Sequence, residues 1–217
     1  MKKDELIEIA SQLKLPKGEK GIEMGNMMNE TNINMTHNAI QNLNITKDDK
    51  ILELGHGNAG HVEYLFKKAS NLNYYGLEMS ELMFHEAHKI NRHFVSKKQA
   101  LFSLYDGNEI PFQENFFDKI FTVNTIYFWK NPEKMLLEIY RVLKTKGIFC
   151  VTFAQESFMK ELPFTKYEFE LYTTEKAEIL IEKTPFKIKY SETLKEKIKS
   201  KTGELVSRDF TTIVLEK

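Results

Sequence analysis

Residues 51–60 read Ile51-Leu52-Glu53-Leu54-Gly55-His56-Gly57-Asn58-Ala59-Gly60. An apolar strand running into a glycine-rich turn leads to a helix N-terminus, where free backbone N–H groups and glycine's tolerance of positive φ let a ligand touch bare main chain. The glycines at 55, 57 and 60 satisfy the G-x-G-x-x-G spacing of dinucleotide sites, and Glu78 stands 18 residues beyond Gly60, near the place of a ribose-binding acid. The turn alone does not separate a nicotinamide from another adenosyl cofactor. Glu53, two residues before the first glycine, favours a cationic one, because its negative charge would repel a pyrophosphate and attract an ammonium or a sulfonium.

Working outward, short apolar runs alternate with amphipathic segments from Lys50 to Ala154, which predicts a parallel sheet with helices on both faces. The predicted strands are Ile51–Leu54, Tyr74–Glu78, Gln99–Leu104, Lys119–Asn124 and Gly147–Phe153. Crossover helices follow from Val62, Leu65, Phe66 and Ala69, then from Leu82, Ala87, Ile90 and Phe94. The clearest helix spans Pro132 to Lys144: Asn131 can cap it, Pro132 suits its first position, and Met135, Leu136, Ile139, Val142 and Leu143 share one face. Asp106-Gly107 ends the third strand and brings another acid to the carboxyl edge of the sheet, where doubly wound folds bind ligands. Beyond this core, a short helix is expected over Lys3–Leu13, and the stretch to Asn44 is rich in Gly, Asn and Met with weak periodicity. A helix near Thr174–Lys183 leads into alternating Phe186, Ile188 and Tyr190, then Lys201-Thr202-Gly203-Glu204, then Phe210–Leu215, which reads as a closing β-hairpin.

Composition bounds what such a chain can do. With 217 residues, 31 basic and 31 acidic side chains and 41% apolar residues, one α/β domain with small additions fits. The zero net charge offers no global footprint for a polyanion, so nucleic-acid acceptors are set aside. A single cysteine, Cys150, excludes an internal disulfide and multi-thiol chemistry, and makes a reducing compartment the default. No apolar run approaches the roughly 20 residues of a membrane span, and Met1-Lys2-Lys3-Asp4-Glu5 is unlike a signal peptide. The expectation is a soluble cytoplasmic protein with no membrane association; its oligomeric state is not readable.

The chain resembles the class I S-adenosylmethionine-dependent methyltransferases. The resemblance is carried by Glu53 to Gly57, Gly76-Leu77-Glu78-Met79-Ser80 with Met83, Asp106 to Phe112, Phe117-Asp118-Lys119-Ile120, and Leu137 to Lys144 before Gly147. It covers about half the chain in the family's order. A leader Gly-x-x-Met-x-x-Met-Met-Asn, Gly21 to Asn29, is similar to a branch of uncharacterised bacterial members. The resemblance implies a doubly wound, Rossmann-like three-layer α/β sandwich whose seven-stranded, mostly parallel sheet has an antiparallel C-terminal strand. It implies one domain over 1–217: an N-terminal helical cap or leader (1–47), a cofactor-binding core (48–155), and a C-terminal helix and hairpin (156–217). It implies S-adenosylmethionine as cofactor. Gly55, Gly57 and Gly60 would hold its methionine part with Glu53 close by, Glu78 would bind the ribose hydroxyls, Met79 and Met83 would flank the adenine, and Asp106-Gly107 would meet its amino group. Asn124 would lie near the cofactor's amino acid and the substrate. Two departures are Ala59, where glycine is frequent, and Lys144-Thr145-Lys146-Gly147 in place of Lys-Pro-Gly-Gly.

Methyl transfer from a sulfonium needs alignment more than a fixed catalytic group, so no catalytic residue is assigned. Asn124-Thr125-Ile126-Tyr127 lacks the Pro-Pro-aromatic signal of many nucleic-acid and protein amino methylators, which points to a small-molecule acceptor. Tyr127 and Trp129, with Met24, Met28, Asn29 and Asn32 of the leader, are the substrate-side candidates, against plain packing for the aromatics and an edge segment for the leader. His85 and His88 supply only two metal ligands at i, i+3, so no metal is expected. His56 and His61 flank the turn as possible bases or as local structure. Cys150, inside an apolar run, reads as a core thiol. Seven lysines against two glutamates between Lys183 and Lys201 read as the wet face of an edge strand. The rivals are a non-catalytic cofactor-binding module and an NAD(P)-dependent oxidoreductase, the latter without an evident hydride-transfer constellation.

Overall fold

The computed structural model describes residues 1–199 and 205–217. Strands β1 (Lys50–Leu54), β2 (Asn73–Glu78), β3 (Ala100–Leu104), β4 (Phe117–Val123) and β5 (Leu143–Ala154) are parallel. With β6 (Lys187–Lys199) and β7 (Leu205–Glu216) they form one sheet in the order β3-β2-β1-β4-β5-β7-β6, in which β7 runs antiparallel to both neighbours. The doubly wound α/β sheet with its antiparallel last strand is therefore present as expected. The expected hairpin turn, Lys201-Thr202-Gly203-Glu204, lies outside the described residues. The helices are α1 (Lys3–Lys14), α2 (Gly18–Asn42), α3 (Val62–Phe66), α4 (Glu81–Ile90), α5 (Arg92–Ser96), α6 (Pro132–Val142), α7 (Glu156–Met159) and α8 (Thr174–Ile181).

Both faces of the sheet are covered, which is why its strands read as apolar runs rather than as alternation. Leu52, Ile120, Phe149 and Val151 pack with Leu136 and Ile139 of α6 and Ala177 and Ile181 of α8. Their neighbours Ile51, Phe121 and Cys150 point the other way, against Ala39, Ile40 and Leu43 at the end of α2, Val62 and Leu65 of α3, and Ala87 of α4. Helix α6 begins as its sequence dictates, with the Asn131 side chain accepting from the Lys134 N–H at 3.0 Å and Pro132 at the first position. Cys150 is fully buried, and burial pushes its thiol well above the ordinary range, as a core thiol requires.

The largest departure from the sequence reading is α2. The weakly periodic Gly/Asn/Met stretch forms one helix of 25 residues. Gly21 and Gly25 act not as turn residues but as points of close approach to α4: a Cβ at Gly21 would sit 2.7 Å from Leu82 Cδ2, and one at Gly25 2.6 Å from Met83 Sδ. One side of the helix packs by hydrogen bonding rather than apolar contact. Asn34 donates to Glu196 at 3.0 Å, and Asn38 and Asn42 both donate to Glu192 at 2.9 Å. These asparagines recur every four residues, so a hydrophobic periodicity does not register them. Buried Arg208 of β7 completes the joint by donating to Glu196 at 2.6 Å, to Asn32 Oδ1 at 3.0 Å and to the Thr31 carbonyl at 2.7 Å.

Removing one member of a buried, hydrogen-bonded ion pair leaves an uncompensated charge, at a cost of about 3–5 kcal/mol. Arg208→Met should therefore lower the stability read from urea titration by about 3 kcal/mol, and the double variant Arg208→Met/Glu196→Leu should recover most of it. A single variant as stable as the parent would show that the joint contributes nothing.

Candidate functional site

The site lies at the carboxyl end of β1, β2 and β4. Glu53 is nearly fully buried, and its Oε2 accepts from the Tyr74 hydroxyl at 2.5 Å and from His61 Nε2 at 2.7 Å. Burial, reinforced by the Glu53 charge, pushes the Tyr74 phenol far above its ordinary value, so Tyr74 remains a donor. Because a carboxylate only accepts, His61 must carry its proton on Nε2. Both contacts fall on Oε2, and Oε1 has no protein partner among the described residues. His61 thus has the local role: it fixes Glu53.

The turn after β1 is built around Glu78. Gly55 takes φ +70° and donates to the Leu77 carbonyl at 2.8 Å, while the Gly57 N–H reaches Glu78 Oε2 at 3.0 Å. Glu78 Oε1 accepts from the N–H groups of Met79 and Ser80 at 2.8 and 3.0 Å. Ser80 caps α4 through Met83 N and donates to the Pro16 carbonyl at 2.6 Å, tying the α1–α2 connection to the same edge. A Cβ on Gly57 would meet nothing within 4 Å, so bare backbone faces open space there. Ala59 takes φ +53°, the conformation for which glycine is the easier residue.

One cavity gathers most of the expected residues. Glu53, Gly55, Gly57, Glu78, Met79, Met83, Asp106, Gly107 and Asn124 line it, as do Met28, Asn29, Asn32 and Trp129. Three expected residues are not part of that lining. Gly60 is exposed, and a Cβ there would sit 2.9 Å from the Asn29 amide, so its smallness admits α2. Tyr127 is buried, with its hydroxyl 2.8 Å from the Ala154 carbonyl and 3.1 Å from Asn124 Oδ1, which is the packing role. Met24 also lies outside the lining. Asp106 caps its own turn, accepting from Asn108 N at 2.8 Å and Glu109 N at 3.1 Å, and the Asn108 N–H first among these bonds lowers its carboxyl below the usual range.

His56 is buried, and it borders the cavity. Its Nδ1 faces the Gly57 carbonyl at 2.7 Å and so carries the proton, its ring lies edge-on to Phe102, and its buried Nε2 has no partner. Burial lowers its pKa. His88 Nδ1 is spent on the Phe84 carbonyl at 3.0 Å, and among the described residues no three His, Cys, Asp or Glu side chains are grouped to hold a metal ion. The lysines of 187–197 lie on β6 at the sheet edge, where Lys189 pairs with Glu216 at 2.8 Å. Among the described residues no helix is long and apolar enough to cross a membrane.

A family model described as "Methyltransferase domain" matches residues 52–151, from β1 through most of β5. A Bacillus subtilis protein described as an uncharacterised methyltransferase, YdaC, is 28% identical over 59% of this chain and 68% of its own. Among solved structures, a chain of the complex between the Haloferax volcanii Trm112 methyltransferase activator and a methyltransferase superposes with a TM-score of 0.73 at 14% identity, covering 90% of this chain and 95% of that one. A Haemonchus contortus phosphoethanolamine N-methyltransferase, solved with phosphomonomethylethanolamine and S-adenosylhomocysteine, gives a TM-score of 0.70 at 17% identity over 98% of this chain and 60% of that one. Residues 52–151 carry a methyltransferase domain, and these likenesses support an S-adenosylmethionine-dependent methyltransferase. The chain is an enzyme, a methyltransferase, and S-adenosylmethionine is its cofactor.

Two outcomes test this geometry. At Gly55 a side chain would have to adopt φ +70° with its Cβ 2.5 Å from Thr125 Cγ2, so Gly55→Ala should destabilise the protein by about 2 kcal/mol in denaturant titration. Because His56 is buried neutral, the unfolded state binds a proton that the native state refuses. Stability should therefore fall as pH drops below 6.5, the value for an unperturbed histidine. His56→Gln should reduce that slope by up to about 1.4 kcal/mol per pH unit.

Proposed function

We propose that this enzyme transfers the methyl group of S-adenosylmethionine to a small-molecule acceptor in the cytoplasm. The observation that carries the reading is the cavity itself, which joins a buried carboxylate with one unpartnered oxygen, a stretch of uncovered glycine backbone and a second buried carboxylate at successive strand ends. Those groups suit the cofactor's chemistry: Glu53 Oε1 would receive the ammonium, Gly55 and Gly57 would lie along the methionine part, Glu78 would take the ribose hydroxyls, and Met79, Met83 and Asp106-Gly107 would surround the adenine. Asn124 would sit between cofactor and acceptor. When bound, the cofactor supplies an electrophilic methyl group on an excellent leaving group.

What remains for the protein is to bind, orient and keep water out, which for aligned reactants is worth roughly 7–11 kcal/mol. His61 and Tyr74 hold the Glu53 carboxylate in one orientation. Helices α1 and α2 roof the cavity with Leu13, Lys14, Met28, Asn29 and Asn32. A roof made from so short a segment favours a small acceptor. The chain divides accordingly into a roof of residues 1–47, a cofactor-binding core of 48–155 and a closing segment of 156–217.

Calorimetric titration of the purified protein tests the reading. S-adenosylmethionine and S-adenosylhomocysteine should bind at submillimolar concentration and NAD should not, and Glu53→Gln should weaken the cofactor about tenfold, as loss of a charged hydrogen bond does. Absence of binding for both sulfur compounds would overturn it.

A further inference from the structure

The leader of α2 places Gly21, Gly25 and Asn29 at intervals of four residues, so the three share one face of the helix. That face lies along the edge of the site. A Cβ at Gly21 would meet Leu82 Cδ2, Asn29 lies against Gly60, and a Cβ at Gly25 would sit 2.6 Å from Met83 Sδ and 2.8 Å from Met83 Cε. Of these three contacts only the middle one joins two residues that both line the cavity.

Met79, the other methionine assigned to the base, is seated in the same way, because a Cβ at Gly107 would sit 2.6 Å from its Sδ. Each thioether thus occupies the space that a side chain on a glycine would fill. A methionine has three rotatable bonds and a polarisable sulfur that makes favourable contact with aromatic rings, so it takes whatever space its surroundings leave. The position of each sulfur is set by what stands behind it.

The backbones on either side of Met83 are held. Ser80 Oγ accepts from Met83 N at 3.2 Å, and the Met83 side chain is almost fully buried. On α2, Asn26 Oδ1 accepts from Asn58 at 3.0 Å, and Arg208 holds the Thr31 carbonyl and Asn32. A methyl group at position 25 would therefore displace the end of the methionine, and the free space that Met83 borders is the cavity.

We propose that Gly25 is a positioning residue for the cofactor's adenine: its missing side chain lets the Met83 thioether lie back against α2 and keeps the space between Met79 and Met83 open for the base. The roof helix takes part in cofactor recognition by way of Met83. This assignment rests on the methyltransferase reading above. Gly107 has φ +77°, where any substitution strains the backbone, whereas Gly25 is helical and isolates the effect.

Calorimetric titration with S-adenosylhomocysteine tests it. Gly25→Ala should fold, since alanine is the better helix former and the sulfur has the cavity to move into, and should bind about tenfold more weakly, the scale of an overpacked site. Met83→Ala removes the sulfur, so adding Gly25→Ala in that background should change affinity by less than about twofold. Gly21→Ala places a methyl group on the same face against Leu82, outside the cavity lining, and should bind as the parent does. Parent affinity in Gly25→Ala, a loss that persists in the Met83→Ala background, an equal loss in Gly21→Ala, or failure of Gly25→Ala to fold each overturns the proposal and leaves the methyltransferase reading intact. Failure of the parent to bind S-adenosylhomocysteine overturns both.

Discussion

The site depends first on the Glu78 carboxylate. Its two oxygens accept three backbone N–H groups, one from the turn after β1 and two from the turn after β2. In a parallel sheet these turns belong to different βα units, joined otherwise only where the strands end, by the Gly55 N–H on the Leu77 carbonyl. The carboxylate locks them together at the place where the N–H groups of a turn and of a starting helix would otherwise be unsatisfied. Ser80, placed by the same lock, caps α4 and holds the Pro16 carbonyl, so the roof helices take their position from the strand edge as well.

Much of this could be read from the sequence because it follows from local rules. The turn at 55–60, the acids at 53, 78 and 106, the capped helix at Pro132 and the closing strands each carry a signature within a few residues. The buried thiol at Cys150 was legible in the same way, from the apolar run around it. The positions of Gly60 and Tyr127 were not, because they depend on what packs against them. Asn29 of a helix some thirty residues upstream lies against Gly60, and the β5 end at Ala154 draws the Tyr127 hydroxyl inward.

Helix α2 shows why a real element can be silent. Its contacts use an asparagine repeat on one side and glycine on another, whereas hydrophobic patterning detects neither. The partners that give the asparagines their purpose, Glu192, Glu196 and Arg208, lie more than 140 residues away in β6 and β7. The same remote arginine sets the orientation of the Asn32 amide. The orientation of one cavity-lining amide is thus written partly in β7, where no motif would place it.

The depth of Cys150 has a practical side. It sits at the centre of β5, between β4 and β7, with no exposed surface and a thiol that burial keeps protonated. A thiol reagent can reach it only in molecules where the layer packed on that face, the end of α2 included, has lifted from the sheet or the strands have separated. The protein therefore carries its own clock for opening of the core, one natural label that records each time this layer comes away.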